Sequence, residues 1–265
     1  MAVINGMSKA FAKILVFASA LAATLGLRAE PAALALARAY LGPESTLDGI
    51  TSIHYVGTLD RQDPDGAGTA PVHATLDLIF VKPMRQRLIA IGDKVTMTTV
   101  LDGYDAWDLL RDNANPSRFR LTWLKASEIK TLRANTWENL YYYRAPEGGS
   151  VEDKGPATVD GIVCERIDFS HGSGLVYERY FDRDTGRLVV TIRGPESFRE
   201  IGEIRVDGIR FPKKIVSTTK TASGKDLIST ASFDSVTLNE PLAPGLFAAP
   251  STLPQKATEA AAPGK

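Results

Sequence analysis

From residue 50 onward, apolar and polar residues alternate with a period of two over most of the chain. This period puts successive side chains on opposite faces of a strand, so it predicts β-structure. Short clusters such as Gly92-Asp93 and Asp102-Gly103 interrupt the alternation, and separators of this length join antiparallel neighbours. The pattern predicts strands at 51–60, 72–82, 86–91, 94–101, 104–110, 162–169, 175–181, 187–193, 200–206, 209–219 and 226–237.

Two regions have a helical pattern instead. Pro31 precedes a run of Ala and Leu that predicts a helix over 32–41, which Gly42-Pro43 ends. Between residues 123 and 140, apolar residues recur at helical spacing, so we expect one or two helices there.

Ten or eleven antiparallel strands exceed what an open, twisted sheet usually holds, so the sheet must curl, close or split. Some strands, including 76–81, are apolar on both faces of the alternation. A curved sheet wrapped around one to three helices would use both faces and would leave room for an apolar cavity. A solid core satisfies the same pattern. The expected fold class is mainly β, and the pattern does not decide between a cavity and a solid core.

The N-terminus is typical of an export signal. Lys9 and Lys13 precede an apolar run over 14–27, which is shorter than the roughly 20 residues of a membrane-spanning helix. An uncleaved anchor or a buried helix is the alternative. The tail is rich in Ala, Pro, Lys and Thr and has little to bury. We therefore expect a signal peptide over 1–29, one β domain over 30–250 and a disordered tail over 251–265.

Charge and cysteine content exclude some classes of function and of covalent structure. The chain carries 31 basic and 31 acidic residues, so it has no overall positive field to attract nucleic acid. Its single cysteine, Cys164, excludes an internal disulfide and has the alternating neighbours of a buried, inert thiol.

No motif indicates catalysis, a metal or a cofactor. His54, His73 and His171 lie far apart without a Cys or Glu at ligand spacing, so we expect surface or hydrogen-bonded histidines rather than metal ligands. Ser170-His171-Gly172-Ser173-Gly174 lacks the strand-to-helix turn of a nucleophile elbow and is interpreted as a hairpin tip. We therefore expect a protein that is not an enzyme.

The stretch 76–107 combines Phe80-Val81-Lys82-Pro83, a strand with Arg85 and Arg87, and Val100-Leu101-Asp102-Gly103 leading to Trp107. This stretch resembles LolA/LolB-type periplasmic lipoprotein carriers. The second half is similar to the broader outer-membrane lipoprotein-sorting family. Its matching segments are 159–167, 180–188, 207–212 and 236–242.

The resemblance implies an incomplete antiparallel barrel closed by helices, with a hydrophobic cavity that shields acyl chains of lipid or lipoprotein. It also implies a periplasmic, monomeric carrier that meets donor and acceptor proteins at the inner and outer membranes. The carriers have Arg immediately before the Pro, where this chain has Lys82. In the family that Arg is tied to lid closure and cargo release, and Lys makes fewer and differently placed hydrogen bonds.

Lipid binding in such a cavity needs shape and apolar walls. For each wall residue, ordinary core packing is the alternative. Tyr141-Tyr142-Tyr143 would likewise pave a ligand entrance or pack at a helix end. The residues expected to contact lipid are Leu78, Phe80, Lys82, Met97, Trp107, Trp123 and Ile129.

A second class of function stays open. LolA-like domains also resemble the lipid-sensing halves of anti-sigma regulators, so an envelope sensor that binds a protein partner is the alternative to a carrier.

Overall fold

The computed structural model describes residues 30–62, 73–172 and 174–250. The expected signal peptide over 1–29 and the expected disordered tail over 251–265 lie outside the described residues.

Within these residues the chain forms three helices and a single antiparallel sheet of thirteen strands. The helices are α1 (Ala32–Leu41), α2 (Glu44–Gly49) and α3 (Ala126–Leu140). The strands are β1 (Ser52–Gln62), β2 (His73–Val81), β3 (Arg85–Gly92), β4 (Val95–Asp102), β5 (Asp105–Asp112), β6 (Phe119–Trp123), β7 (Ser150–Val159), β8 (Ile162–Ser170), β9 (Val176–Asp182), β10 (Leu188–Arg193), β11 (Glu196–Val206), β12 (Ile209–Lys220) and β13 (Asp226–Leu238).

The strand order is β6-β5-β4-β3-β2-β1-β13-β12-β11-β10-β9-β8-β7, and the sheet does not close into a barrel. The chain runs strand by strand from β1 to the β6 edge. It then crosses through α3 to the β7 edge and returns strand by strand until β13 pairs with β1. The prediction of a large antiparallel sheet joined by short turns is confirmed.

Contacts of α3 show that the sheet is strongly curved. Thr136 Oγ1 donates to Gln86 Oε1 on β3 at 3.1 Å, and Glu138 Oε2 lies 2.5 Å from Arg179 Nη1 on β9. β3 and β9 are seven positions apart in the strand order. In a flat sheet that is about 34 Å, whereas a helix with its side chains is about 10–12 Å wide. The sheet therefore bends around α3 as an incomplete barrel.

The concave face carries two aromatic clusters. In the first, Tyr55 of β1 packs on Phe233 of β13, with ring centroids 4.6 Å apart, and Leu47 of α2 and Leu140 of α3 are fully buried in the same cluster. Because Tyr55 and Phe233 come from the two strands that join the halves of the sheet, this cluster fixes the middle of the fold.

The second cluster lies beneath α1. Leu34 and Ala37 of that helix are buried against Phe169 of β8 and Phe181 of β9. Leu34 and Ala37 are about one helical turn apart, and Phe169 and Phe181 occupy inward positions of their strands, so all four side chains face the cluster.

The outer face has its own apolar layer. Ile79, Val100 and Trp107 point away from the helices and are covered by the segment 240–250, in which Phe247 is buried. Trp107 Nε1 donates to the Phe247 carbonyl oxygen at 3.3 Å. Some strands are apolar on both faces because helices cover one face of the sheet and the segment 240–250 covers the other.

The structure adds two strands and one helix to the sequence prediction. β6 and β7 are the edges of the sheet, and both are largely exposed. Edge strands carry charges, Gly and Pro instead of an apolar alternation, and β7 contains Gly155 and Pro156 beside a register shift. The helix over 32–41 is confirmed, and α2 follows Pro43 directly. Cys164 is free and buried, as predicted.

Candidate functional site

Three cavities are lined by described residues. The largest of these is about 520 Å³ and lies between α3 and the turns at one end of the sheet. Its lining residues are Met84, Tyr104, Ala126, Ile129, Lys130, Arg133, Ala134, Trp137, Glu147, Gly148, His171 and Gly172.

Two smaller cavities, of about 150 Å³ and 220 Å³, lie between the end of α3, α1 and strands β9 to β12. They adjoin each other because they share several wall residues. The shared residues are Leu41, Tyr143, Leu188, Glu200, Arg210, Phe211 and Pro212.

The wall of the smaller cavities combines aromatic and charged groups. Arg179 on β9 and Glu138 on α3 form a buried ion pair, with side chains only 8% and 3% exposed. His171 Nε2 lies 2.7 Å from the other carboxylate oxygen of Glu138. The Arg179 guanidinium also sits over the ring of Tyr143, 4.9 Å from its centroid. A charge in this position is stabilised by its carboxylate partner and by the ring.

Glu200 on β11 differs from the other charged wall groups. It lines both small cavities, and its carboxylate has no hydrogen-bond or ion-pair partner among the described residues. Glu200 is an exposed residue that faces the space of both cavities. Desolvation raises the pKa of Glu200, and the nearby Arg179 charge opposes that shift. The carboxyl group is therefore free to accept a proton or a hydrogen bond from an occupant.

Two tyrosines after α3 complete this wall. Tyr142 and Tyr143 both have positive φ angles, of 45° and 66°, which turn the chain sharply at the end of the helix. Burial raises the pKa of both phenols, so both are neutral at physiological pH. The Tyr142 carbonyl oxygen accepts a hydrogen bond from Arg38 at 2.7 Å, while its hydroxyl has no partner among the described residues.

The apolar residues expected to bind lipid are divided between the two faces. Leu78 and Phe80 lie on the concave face in the cluster around Tyr55. Met97 is on the same face of β4 as Leu101, which packs beneath α3.

The remaining expected residues lie elsewhere. Ile129 lines the 520 Å³ cavity. Trp107 is buried on the outer face, and Trp123 lies directly opposite it on β6 and is 60% exposed. Neither tryptophan lines any of the three cavities.

Lys82 lies where α2 and the end of α3 meet the sheet. Its Nζ is 5.3 Å from the centre of the Tyr141 ring, and the Tyr141 hydroxyl donates to the Pro83 carbonyl oxygen at 3.1 Å. Desolvation lowers the pKa of Lys82, and the neighbouring Asp48 carboxylate opposes that shift. Lys82 therefore contacts the helices rather than a cavity wall.

Sequence analysis did not single out Glu138, Arg179 or Glu200. A signal for one of them is present, because Arg179 occupies the inward position between Tyr177 and Phe181 on β9. A charged residue at a core-facing position needs a buried partner. Each of the three histidines forms a hydrogen bond to a carboxylate, as predicted. The part of the chain that the structure describes contains no group of three or more potential metal ligands.

Comparisons with known proteins identify the fold. No model of a protein family matches the chain, and no curated protein matches it. A LolA superfamily protein from Nitrosomonas europaea superimposes with a TM-score of 0.53 at 12% identity, over 81% of this chain and 95% of that one. A DUF1329 family protein from Desulfovibrio piger gives 0.52 at 11% identity, over 82% and 95%.

A third solved structure is a domain from Vibrio parahaemolyticus that is named for lipoprotein sorting at the outer membrane. It gives a TM-score of 0.52 at 10% identity, over 81% of this chain and 95% of that domain. At these identities the likeness establishes the architecture. The chain has the LolA-like fold, as the motif resemblance predicted. Among the described residues, no helix is both long and apolar enough to cross a lipid bilayer.

Proposed function

We propose that this protein is a non-enzymatic periplasmic carrier that binds the acyl chains of a lipid or lipoprotein inside its curved sheet. The observation that carries the proposal is the 520 Å³ cavity between α3 and the turns at one end of the sheet. This volume falls within the roughly 300–1,000 Å³ typical of ligand sites. The shared fold with a domain named for lipoprotein sorting supports the same class of cargo.

Burial of hydrocarbon supplies the affinity. Each methylene removed from water contributes about 0.8 kcal/mol, so one acyl chain binds without specific polar recognition. Ile129, Met84 and Trp137 provide apolar contacts at the wall of the largest cavity. The concave residues Leu78 and Phe80 lie in the same interior, so a long chain that extends beneath the helices would reach them.

The two smaller cavities extend this site toward polar groups. Their wall carries Glu200 and the paired Arg179, which suit a headgroup or a backbone segment better than a hydrocarbon tail. We propose that the acyl chain occupies the largest cavity and that the polar end of the cargo faces these charges. Donor and acceptor proteins at the inner and outer membranes would load and unload a monomeric carrier.

The experiment is uptake of a fluorescent fatty acid by delipidated protein. Ala126 is exposed at the start of α3 and lines the largest cavity, so Ala126→Trp fills the space without disturbing the core. We expect this variant to bind the probe more weakly than wild type. Ser127→Trp adds the same ring to the next exposed position, which does not line the cavity, and serves as the control.

Failure of the wild type to bind the probe would contradict the proposal, and so would equal binding by both variants. A protein partner that co-purifies with lipid-free carrier would instead favour an envelope sensor.

A further inference from the structure

Edge strand β6 and the elements next to it combine exposed aromatic rings with basic side chains that form no ion pair among the described residues. Tyr104, Trp123 and Phe119 are 78%, 60% and 47% exposed. Phe119 and Trp123 each lie two residues from Leu121. Both therefore project from the same face of edge strand β6, which is the outer face that carries Trp107. Single exposed apolar residues are ordinary, but aromatic rings grouped along one sheet edge indicate an interaction surface.

The charge of the same region is unlike that of the whole chain. The chain has a formal net charge of zero, whereas residues 113–137 contain five basic side chains and one acidic side chain, Glu128. Four of the basic side chains are exposed, and none of them lies within 4.0 Å of a carboxylate oxygen among the described residues. These four are Arg118, Arg120, Lys125 and Lys130.

The aromatic and basic groups follow β6 toward the cavity, from Arg118 and Phe119 at one end of the strand to Trp123 at the other. The Leu124 backbone N–H donates to the Ala106 carbonyl oxygen at 3.0 Å, which holds the end of β6 against the strand that begins just after Tyr104. Arg133 of α3 stacks on the Tyr104 ring, with its guanidinium carbon 4.0 Å from the centroid. Tyr104 and Lys130 both line the 520 Å³ cavity. We call Tyr104, Arg118, Phe119, Arg120, Trp123, Lys125 and Lys130 the basic aromatic rim.

From this arrangement we infer that the basic aromatic rim docks the protein on the surface of an anionic phospholipid bilayer. Aromatic rings that are apolar at one end and polar at the other concentrate at the boundary between headgroups and acyl chains. Unpaired Lys and Arg side chains are attracted to acidic headgroups over about one Debye length. The turn that carries Tyr104 also has Asp102 and Asp105, and the neighbouring strand β5 has Asp108 and Asp112, so β6 and α3 supply the positive charge.

Docking through Tyr104 and Lys130 would bring the bilayer next to the largest cavity, because both residues line it. The inference goes beyond carriage itself, because surface binding does not require an occupied interior. A protein partner that pairs with the free β6 edge is the competing occupant, and the charge of the rim favours the lipid surface.

The test is flotation with vesicles of phosphatidylcholine alone and of phosphatidylcholine mixed with phosphatidylglycerol. We expect the wild type to float with the anionic vesicles, to release at high salt and to stay unbound with phosphatidylcholine alone. The variant Arg118→Gln/Arg120→Gln should bind about 25-fold more weakly, since each cation near an anionic surface accounts for about fivefold. Lys213→Gln/Lys214→Gln makes the same charge change on β12 and should bind within about twofold of wild type.

A second pair of variants tests the aromatic contribution. Trp123→Ser should reduce binding and remove the blue shift of tryptophan fluorescence that vesicles produce. Ile201→Ser removes an apolar side chain of similar exposure, 52%, from β11 and should change neither. Circular dichroism and the melting temperature establish that each variant is folded.

Equal binding to neutral vesicles, or unchanged binding by folded Arg118→Gln/Arg120→Gln, would overturn the docking inference. Neither Arg lines a cavity, so this variant should still take up fluorescent fatty acid from solution. If this variant loses vesicle binding but still takes up fatty acid, the basic aromatic rim binds membranes independently of the interior. If the wild type binds vesicles but takes up no fatty acid, the carrier proposal is rejected and the docking inference stands.

Discussion

Single residues determine whether the interior of this fold is purely apolar. Arg179 and Glu138 place a full ion pair within the concave wall, and Glu200 places a carboxylate there without a partner among the described residues. Leaving a charge without a partner in a desolvated position costs free energy, whereas a paired charge is tolerated.

Glu200 makes the stability of the protein depend on pH. Its pKa lies above the ordinary value of 4.5 in the folded protein, so the native state favours the protonated carboxyl group. That stabilisation is complete below the unfolded pKa and is lost as the pH rises through the folded pKa. Glu200→Gln stays neutral, so we expect it to melt at a higher temperature than wild type at neutral pH.

Thermal melts across a pH series check this prediction, with the acidic end of the series as the control. There both proteins carry a neutral side chain at this position and should melt together. A variant that is less stable than wild type at neutral pH would show that the Glu200 carboxylate has a stabilising partner.

Gly57 is required for the joint between the two halves of the sheet. It lies at the register shift between β1 and β13, where an added Cβ would come within 1.9 Å of the Ser232 carbonyl oxygen. We expect Gly57→Ala to lower the free energy of unfolding by about 1–3 kcal/mol through overpacking. Urea denaturation measures this cost.

Gly49→Ala is the matched control, because an added Cβ at Gly49 meets no atom within 4 Å. It should be neutral or slightly stabilising, since Ala is the better helix former. Equal effects of the two substitutions would show that the strands adjust freely at the Gly57 joint.

At the scale of elements, α3 links the two halves of the sheet. The helix follows edge strand β6 and leads to edge strand β7, and its side chains bond to β3 on one side and to β9 on the other. The Glu138 contact to Arg179 and His171 is the link to the second half. The helix is therefore both the wall of the largest cavity and the element whose displacement would open it.

We expect Glu138→Gln to loosen α3. The substitution leaves the Arg179 charge buried without a counter-charge, which typically costs about 3–5 kcal/mol. Hydrogen–deuterium exchange should accelerate over residues 126–140. Glu128→Gln on the same helix is the control, because Glu128 is exposed and an amide oxygen still accepts the hydrogen bond from the Lys125 backbone N–H.

Unchanged exchange in folded Glu138→Gln would mean that apolar packing alone holds the helix. In that case the pair with Arg179 would serve the cargo rather than the fold.

The elements could be predicted wherever burial imposes a period on the sequence. Buried strands such as β2 and β8 have an apolar alternation, whereas the exposed edges β6 and β7 do not, and both were missed. The pairing of β1 with β13 is also outside the reach of local patterns, because it joins residues far apart in the chain. Periodicity did not decide whether the large sheet curls, closes or splits. The resemblance to LolA-like carriers predicted an incomplete barrel.

At the scale of the whole molecule, the site was harder to predict than the fold. A cavity is what packing leaves unfilled, and no local pattern records it. Ile129 was expected at the wall and lines it, because it lies on the apolar face of α3. The sequence does not show which face of β5 and β6 points inward. Strand parity places Trp107 and Trp123 on the outer face, away from the three cavities, so their contact with lipid stays a prediction.

The central claim is that the curved sheet holds the acyl chains of its cargo. Native mass spectrometry of the full chain, exported to the periplasm and purified without detergent, tests it most directly. We predict a population heavier than the polypeptide by the mass of a lipid or acylated peptide. Organic extraction should recover that lipid, and Ala126→Trp should reduce the heavier population. A single species at the polypeptide mass, with no extractable lipid and no uptake after lipid is offered, would contradict it.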